Sequence, residues 1–254
     1  LCACTTRNVD IAIKQETSTA NHPLTTAPRK EQFNEQLQQK LYALMEQTQQ
    51  LQTQFQPYQN KVKPEELLAK KKALLKQLTQ SLGEIVNESA WPNIKQVGEE
   101  GIHLAAFIFN QLSAEQQKLV LPNFDHALQT ELLHMLAKDQ NSRQKVLPYQ
   151  GENVPKTILD EIAIIDKNNS ERLLDIINDI GWPTPSLVGV KASGAAFTIV
   201  QHSEYPMQAS LLAMLTEQFE QGNLPGQQLA LLTDRVLVKE GKKQRYGTQS
   251  MIEN

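Results

Sequence analysis

The sequence predicts an all-α protein: an irregular helical bundle containing an internal duplication of a helix, a Trp-Pro turn and a second helix. Three observations predict it. Leu, Ala, Gln, Glu and Lys dominate the composition, and all five favour helices. Apolar residues recur at steps of three, four or seven, and no period-two run is long enough for a sheet. Aromatic residues make up 6% and glycines number 11, which disfavours a β-sandwich.

Residues 1–30 read as a flexible tether, because Thr5 to Lys30 is rich in Thr, Asn, Ala and Pro and too poor in apolar groups to bury a core. Leu1-Cys2-Ala3-Cys4 resembles the end of a bacterial lipoprotein signal, in which Leu lies three positions before the cysteine that is cut and lipidated. That resemblance puts a lipid on Cys4 and the protein in the cell envelope, facing the periplasm; a secreted soluble protein is the alternative. No segment approaches the roughly 18 apolar residues of a membrane span. With no cysteine after Cys4, the folded part is expected to hold neither a disulfide nor a thiolate metal site.

Residues 31–127 form the N-terminal helical region. From Glu31 to Phe55, Leu37, Leu41, Leu44, Leu51 and Phe55 share one face of a Gln-rich helix, interrupted by Thr48. Gln56-Pro57-Tyr58 breaks it. Pro64 opens a second helix, with Glu65 and Glu66 at the positive end of its dipole. Its stripe is Leu67, Leu68, Leu74, Leu75, Leu78, Leu82, Ile85 and Val86.

That helix ends at Ser89-Ala90-Trp91-Pro92, and the ending recurs. Residues Ile85 to Pro92 line up with Ile176 to Pro183, and Val97-Gly98 with Val188-Gly189. With one residue of slippage, Ala105-Ala106-Phe107 matches Ala195-Ala196-Phe197, and Gln111 matches Gln201. This reads as a duplication with a degenerate first copy. Gly181 suits a left-handed helix end, Pro183 stops the helix, and Trp182 can fold its ring over the helix pair. Ala90 replaces that glycine in the first copy.

Residues 128–249 form the C-terminal helical domain, and 250–254 a tail. Leu128 to Val146 is one helix. Pro155 opens another, running to about Asp166, and Asn169 or Ser170 can cap the next, which buries Leu173, Ile176, Ile177 and Ile180. Pro206 and Pro225 start the last two, which Gly222 and Gly241 end.

Several strings in this half resemble a bacterial family, domain of unknown function 6624. Leu132 to Arg143 looks like its opening helix, and Asp166 to Leu173 its next motif. Gly181-Trp182-Pro183, Ser186 to Gly189 and Ala195-Ala196 match its centre. Gln201-His202-Ser203 stands where the family has Gln-His-Ala. Leu231 to Val236 and Gln244 to Gln249 match its closing motifs. The resemblance implies a helical domain and brings no activity, cofactor or substrate.

The candidate catalytic residues are His202, Asp234 and Arg235. His202 ends an Ala-rich helix, where it can act as a general base or cap the last carbonyls as a cation. Its counterpart by the slipped match is Leu112. Asp234 and Arg235 point in different directions and read as buried ties between helices or as catalytic partners. Asp139, Gln140 and Arg143 lie on neighbouring turns, either a surface pair or ligand-binding groups. Asn169, Trp182 and Gln201 are further candidate ligand-binding residues. Tyr246, Thr248 and Gln249 surround Gly247 and either clamp the tail or cover a pocket.

The leading expectation is a binding or interaction module in the envelope, for an unknown protein or small-molecule ligand. A hydrolase- or transferase-type enzyme is the rival, with His202 as general base and Asp139, Asp234 and Arg235 orienting it or holding an anion. A structural envelope spacer is the third. The net charge of −3 gives no reason to bind nucleic acid. No cofactor is expected, and no metal, since His103, His126 and His134 show no one-turn pairing.

Overall fold

The computed structural model describes residues 33–55, 64–150 and 152–250. The expected tether with Cys4, the Gln56-Pro57-Tyr58 break and residues 251–254 lie outside them. All regular structure in the described residues is helical. The elements are α1 (Glu35–Phe55), α2 (Pro64–Ser89), α3 (Ile94–Phe109), α4 (Ala114–Val120), α5 (His126–Gln144) and α6 (Lys156–Ile180). A 3₁₀ turn, Leu147–Tyr149, separates α5 from α6. Then come α7 (Pro185–Val188), α8 (Val190–His202), α9 (Tyr205–Glu220) and α10 (Gly226–Lys239). Among the described residues, no helix is long and apolar enough to cross a membrane.

The duplication is larger than the Trp-Pro turns suggest. Residues 91 positions apart, such as Leu37 and Leu128, occupy equivalent places from Phe33 and Phe124 onward. Asn34 caps α1 by accepting from the Leu37 amide at 3.0 Å, and Asp125 caps α5 by accepting from the Leu128 amide at 2.9 Å. The Asn34 amide donates to the Gln96 carbonyl at 2.7 Å, and the Asp125 amide to the Leu187 carbonyl at 2.8 Å. Leu37, Leu41 and Leu44 of α1 recur as buried Leu128, Leu132 and Met135 of α5. The chain turns at Ala90 (φ 60°) and Gly181 (φ 77°), then breaks again at Gly98 (φ 71°) and Gly189 (φ 83°). At Ala90 the left-handed conformation costs an L-residue about 1–2 kcal/mol, which glycine avoids.

This register runs without slippage, which corrects the match of Ala105-Ala106-Phe107 to Ala195-Ala196-Phe197. Buried Ala105, Ile108 and Phe109 coincide with buried Ala196, Ile199 and Val200. The Leu112 amide bonds the Phe109 carbonyl as the Ser203 amide bonds that of Val200. His202 therefore corresponds to Gln111, and Leu112 to Ser203. The alanine-rich letters permit two alignments, and only one keeps the core stripe facing inward.

Each repeat buries its own core. Leu41, Leu78, Leu82, Val97 and Ile108 are fully buried in the first. Leu132, Leu173, Val188, Ile199, Leu215 and Leu232 are fully buried in the second. Each such leucine contributes about 1.5–3 kcal/mol of burial. The repeats meet where the Ile94 amide donates to the Gly222 carbonyl at 3.1 Å and the Lys95 ammonium lies 5.6 Å from the centre of the Phe219 ring. Gly222 is required there twice over: φ is 77°, and a Cβ would lie 2.7 Å from the Asn93 Oδ1.

The helix expected to end near Asp166 does not end. α6 runs unbroken from Lys156 to Ile180, so Asn169 and Ser170 cap nothing. Asn169 is buried, and its Nδ2 donates to the Met135 carbonyl at 3.3 Å. The Ser170 hydroxyl donates back to the Asp166 carbonyl at 2.6 Å. Cap-forming residues with such partners carry no stop signal, and no Gly or Pro interrupts the helix.

Candidate functional site

On α5 the buried positions are Leu128, Leu132, Met135, Asp139 and Ser142, at alternating steps of four and three. Asp139 thus occupies an apolar-stripe position, and its side chain is 1% exposed. It is no ordinary surface pair with Arg143. Asp166 lies on the matching stripe of α6, ahead of buried Asn169 and Leu173. His202 is the last residue of α8. Three helices therefore deliver three titratable side chains to one point.

The geometry is closely bonded. His202 Nδ1 lies 2.7 Å from Asp139 Oδ1. Arg143 Nε donates to that same oxygen at 3.0 Å, and Nη2 donates to Asp166 Oδ1 at 2.5 Å. Gln140 Nε2 donates to Asp139 Oδ2 at 2.7 Å. Arg143 Nε also lies 3.1 Å from His202 Nδ1. That nitrogen cannot accept from Arg143 while donating to Asp139. We assign the proton to Nδ1, because a carboxylate is the stronger acceptor. Nε2 is then left with its lone pair.

The electrostatics follow from the packing. Burial alone would raise the Asp139 carboxyl, but the His202 hydrogen bond and the charges of His202 and Arg143 outweigh it, and the pKa falls below its usual value. Asp166 goes the other way: burial, with some help from the Asp139 charge, pushes it up in spite of Arg143. Beside His202, two carboxylates share the single guanidinium of Arg143. Arg143 is already matched by two anions, so this point does not attract another.

Donor atoms of Asp139, Asp166 and His202 all lie within 4.8 Å of one another, a spacing that suits a divalent cation. This departs from the expectation of no metal, which considered only His103, His126 and His134. The Arg143 guanidinium already bonds both carboxylates, however, so a metal would have to displace it. The donor set as folded fits the arginine better.

The other expected residues divide between two places. Asp234 is fully buried, and its carboxylate accepts from the amides of Arg245 (2.6 Å), Tyr246 (3.0 Å) and Thr248 (2.9 Å) and from the Thr248 hydroxyl (3.0 Å). Both oxygens are occupied by the tail. Burial would raise this carboxyl, yet the amides of Thr248, Tyr246 and Arg245 and the Thr248 hydroxyl bring it down to about 2. Tyr246 and Thr248 thus serve the clamp, with the Tyr246 ring exposed. Arg235 donates to the Gln201 carbonyl and, from Nε, to Gln249 Oε1 at 3.3 Å. Gln249 Nε2 also donates to the Leu231 carbonyl at 3.2 Å. Trp182 is a core residue, and Gln201 and Asn169 are buried beside the site.

Asp166 is the residue that the sequence reading left out of the site. Its signal was the step of seven to Leu173, which places both on one helix face. The expected helix end at Asp166 hid that step. In the first repeat the equivalents of Asp139, Asp166 and His202 are Thr48, Leu75 and Gln111, so the charged cluster belongs to the second repeat alone.

No curated protein and no solved structure matches the chain. The model of a family of unknown function, DUF6624, matches residues 125–254, from the cap of α5 through the clamped tail. That span covers just over half of the chain and contains every residue of the cluster, and the protein belongs to this family of unknown function, DUF6624.

Proposed function

We propose that the second repeat is an acid–base catalytic unit of the hydrolase or transferase type, and the first repeat its structural partner. The observation that carries this reading is the 2.7 Å contact between His202 Nδ1 and a carboxylate that is 1% exposed. Such a carboxylate fixes the ring orientation and the tautomer, and leaves Nε2 to take or give a proton. In this reading His202 touches the substrate, and Asp139 and Gln140 position it. Arg143 holds Asp166 in place beside it. A reacting group that becomes positive or stays neutral suits the site better than an anion, since Arg143 is already matched by two carboxylates.

The test is a screen of the purified full chain against chromogenic ester, amide and glycoside panels, with His202→Gln as the control. The variant is expected to lose about 10²–10⁴-fold of any turnover. Equal turnover in both proteins would sink the reading. An independent readout is the ¹⁵N spectrum of the histidine ring at alkaline pH. It should show the proton on Nδ1; a proton on Nε2 would equally overturn it.

The envelope setting remains part of the proposal and rests on Leu1-Cys2-Ala3-Cys4 alone. Radiolabelled fatty acid supplied to expressing bacteria should appear on the chain and vanish in Cys4→Ser. Label retained in that variant would rule out Cys4 as the anchor.

A further inference from the structure

The two arginines of the second repeat are treated very differently. Arg143 bonds two carboxylates. Arg235, half-buried, has no acidic partner among the described residues; its bonds go to the Gln201 carbonyl and the Gln249 side-chain oxygen. Its Nη2 has no hydrogen-bond partner among the described residues and is not sealed from solvent. Removing an arginine from water without a counter-charge is costly, and burial lowers its pKa accordingly. The helix end at Gln201 explains one of its donors, and Gln249 a second. Neither explains the free nitrogen.

That nitrogen belongs to a side chain lining an open cleft of about 650 Å³ at the α8–α9 turn. Lys239, one turn further along α10, lines it too and makes no ion pair among the described residues. So do Ser203 and Tyr205 at the N-terminal end of α9, which adds its own positive partial charge. Glu204 is the one acidic residue lining the cleft among the described residues, and it is exposed. Nearby Glu240 is drawn off by Lys242 at 2.7 Å and by the Tyr205 hydroxyl at 3.1 Å. Among the described residues, two cations without an ion pair therefore line a concave surface that holds one exposed carboxylate.

We infer that the cleft at the α8–α9 turn binds the oxyanion of a small ligand, a carboxylate or a phosphate group, between the Arg235 guanidinium and the Lys239 ammonium. The guanidinium is planar, and Nη2 together with the second hydrogen of Nη1 supplies the donors that an oxyanion accepts. Lys239 adds a point charge on a flexible stem. Ser203, which lines the cleft, directly follows His202 in the chain. The site stands on its own geometry and does not require His202 to be an acid–base group.

The experiment is a titration of the full chain with inorganic phosphate and, separately, with succinate. It is followed on the Arg235 side-chain Nε–H resonance and by calorimetry at low salt. Saturation below about 20 mM by at least one ion is expected, weakening as salt rises. Saturation by phosphate alone assigns a phosphoryl group, and by succinate alone a carboxylate. Lys239→Gln, at an exposed side chain with no bond among the described residues, should weaken binding at least about threefold. Arg235→Lys should weaken it about tenfold or more by losing the planar donors. No saturable shift with either ion, or shifts unaltered in Lys239→Gln, would overturn the inference. His202→Gln should bind both ions as the parent does, which separates this result from any loss of turnover.

Discussion

If the second repeat is the acid–base unit proposed above, alanine in place of Asp139 is expected to cut its turnover and to loosen the repeat together. The carboxylate is 1% exposed and holds three partners: His202, Arg143 and Gln140. Its removal leaves the imidazole free to rotate and leaves Arg143 with Asp166 alone. Loss of a buried partner costs about 3–5 kcal/mol where the orphaned charge stays buried. Arg143 is 31% exposed and can turn toward water, so about 2 kcal/mol is the better figure here. Tm should fall by roughly 5 °C. Turnover should fall by about 10²–10⁴-fold, because the tautomer is no longer selected. Asp139→Asn separates the two effects. It keeps the volume and much of the stability, yet loses the charge that fixes the proton on Nδ1. Urea unfolding combined with the histidine ¹⁵N spectrum reads both; a spectrum unchanged in Asp139→Asn would refute the positioning role.

Replacement of Asp234 by alanine should release the last helix's tail. The carboxylate gathers three backbone amides and a hydroxyl from Arg245, Tyr246 and Thr248, and alanine leaves all four donors unmatched. A drop in Tm of roughly 10 °C is expected, with rapid hydrogen exchange at the Tyr246 and Thr248 amides. The pH dependence has a definite sign. An ordinary aspartate titrates at 3.8, and Asp234 is held down to about 2. The folded state thus favours the charged form, and its stabilisation is complete above pH 3.8. It fades as the pH falls toward 2. Wild-type protein should lose tail protection across that window, whereas Asp234→Ala should show no such step. Exchange rates at Thr248 from pH 5 to pH 2 would decide it.

Much of the architecture was legible because helix periodicity is local. The stripe Leu37, Leu41, Leu44 and the turns at Trp91 and Trp182 needed only spacing and residue type. The register of the duplication was less legible, since Ala105 and Ala106 offer two small residues in a row and letters alone cannot say which faces inward. Asn169 and Ser170 read as a helix start because cap residues are ambiguous until their partners are known; the Met135 carbonyl, a residue of another helix, settles it. The cluster was only half legible. Asp139 and Arg143 share one helix, so their pairing follows from spacing. Asp166 and His202 join them from α6 and α8, and no local pattern encodes that meeting. Asp234-Arg235 drew notice as polar residues in an apolar helix; Asp234 finds its partners beyond the turn at Gly241, and Arg235 both there and at the end of α8.

Two repeats that obey nearly the same folding instructions invite crossed pairing during synthesis, with α5 settling where α1 belongs, or α8 where α3 does. The unequal polar residues supply a key against that error. In the wrong slot, Asp139 would be buried beside Leu75 and Gln111 and deprived of His202 and Asp166. A stranded carboxylate of this kind costs several kcal/mol, enough to reject the mismatched pair. The charges that set one half of the molecule apart chemically also tell the growing chain which half is which.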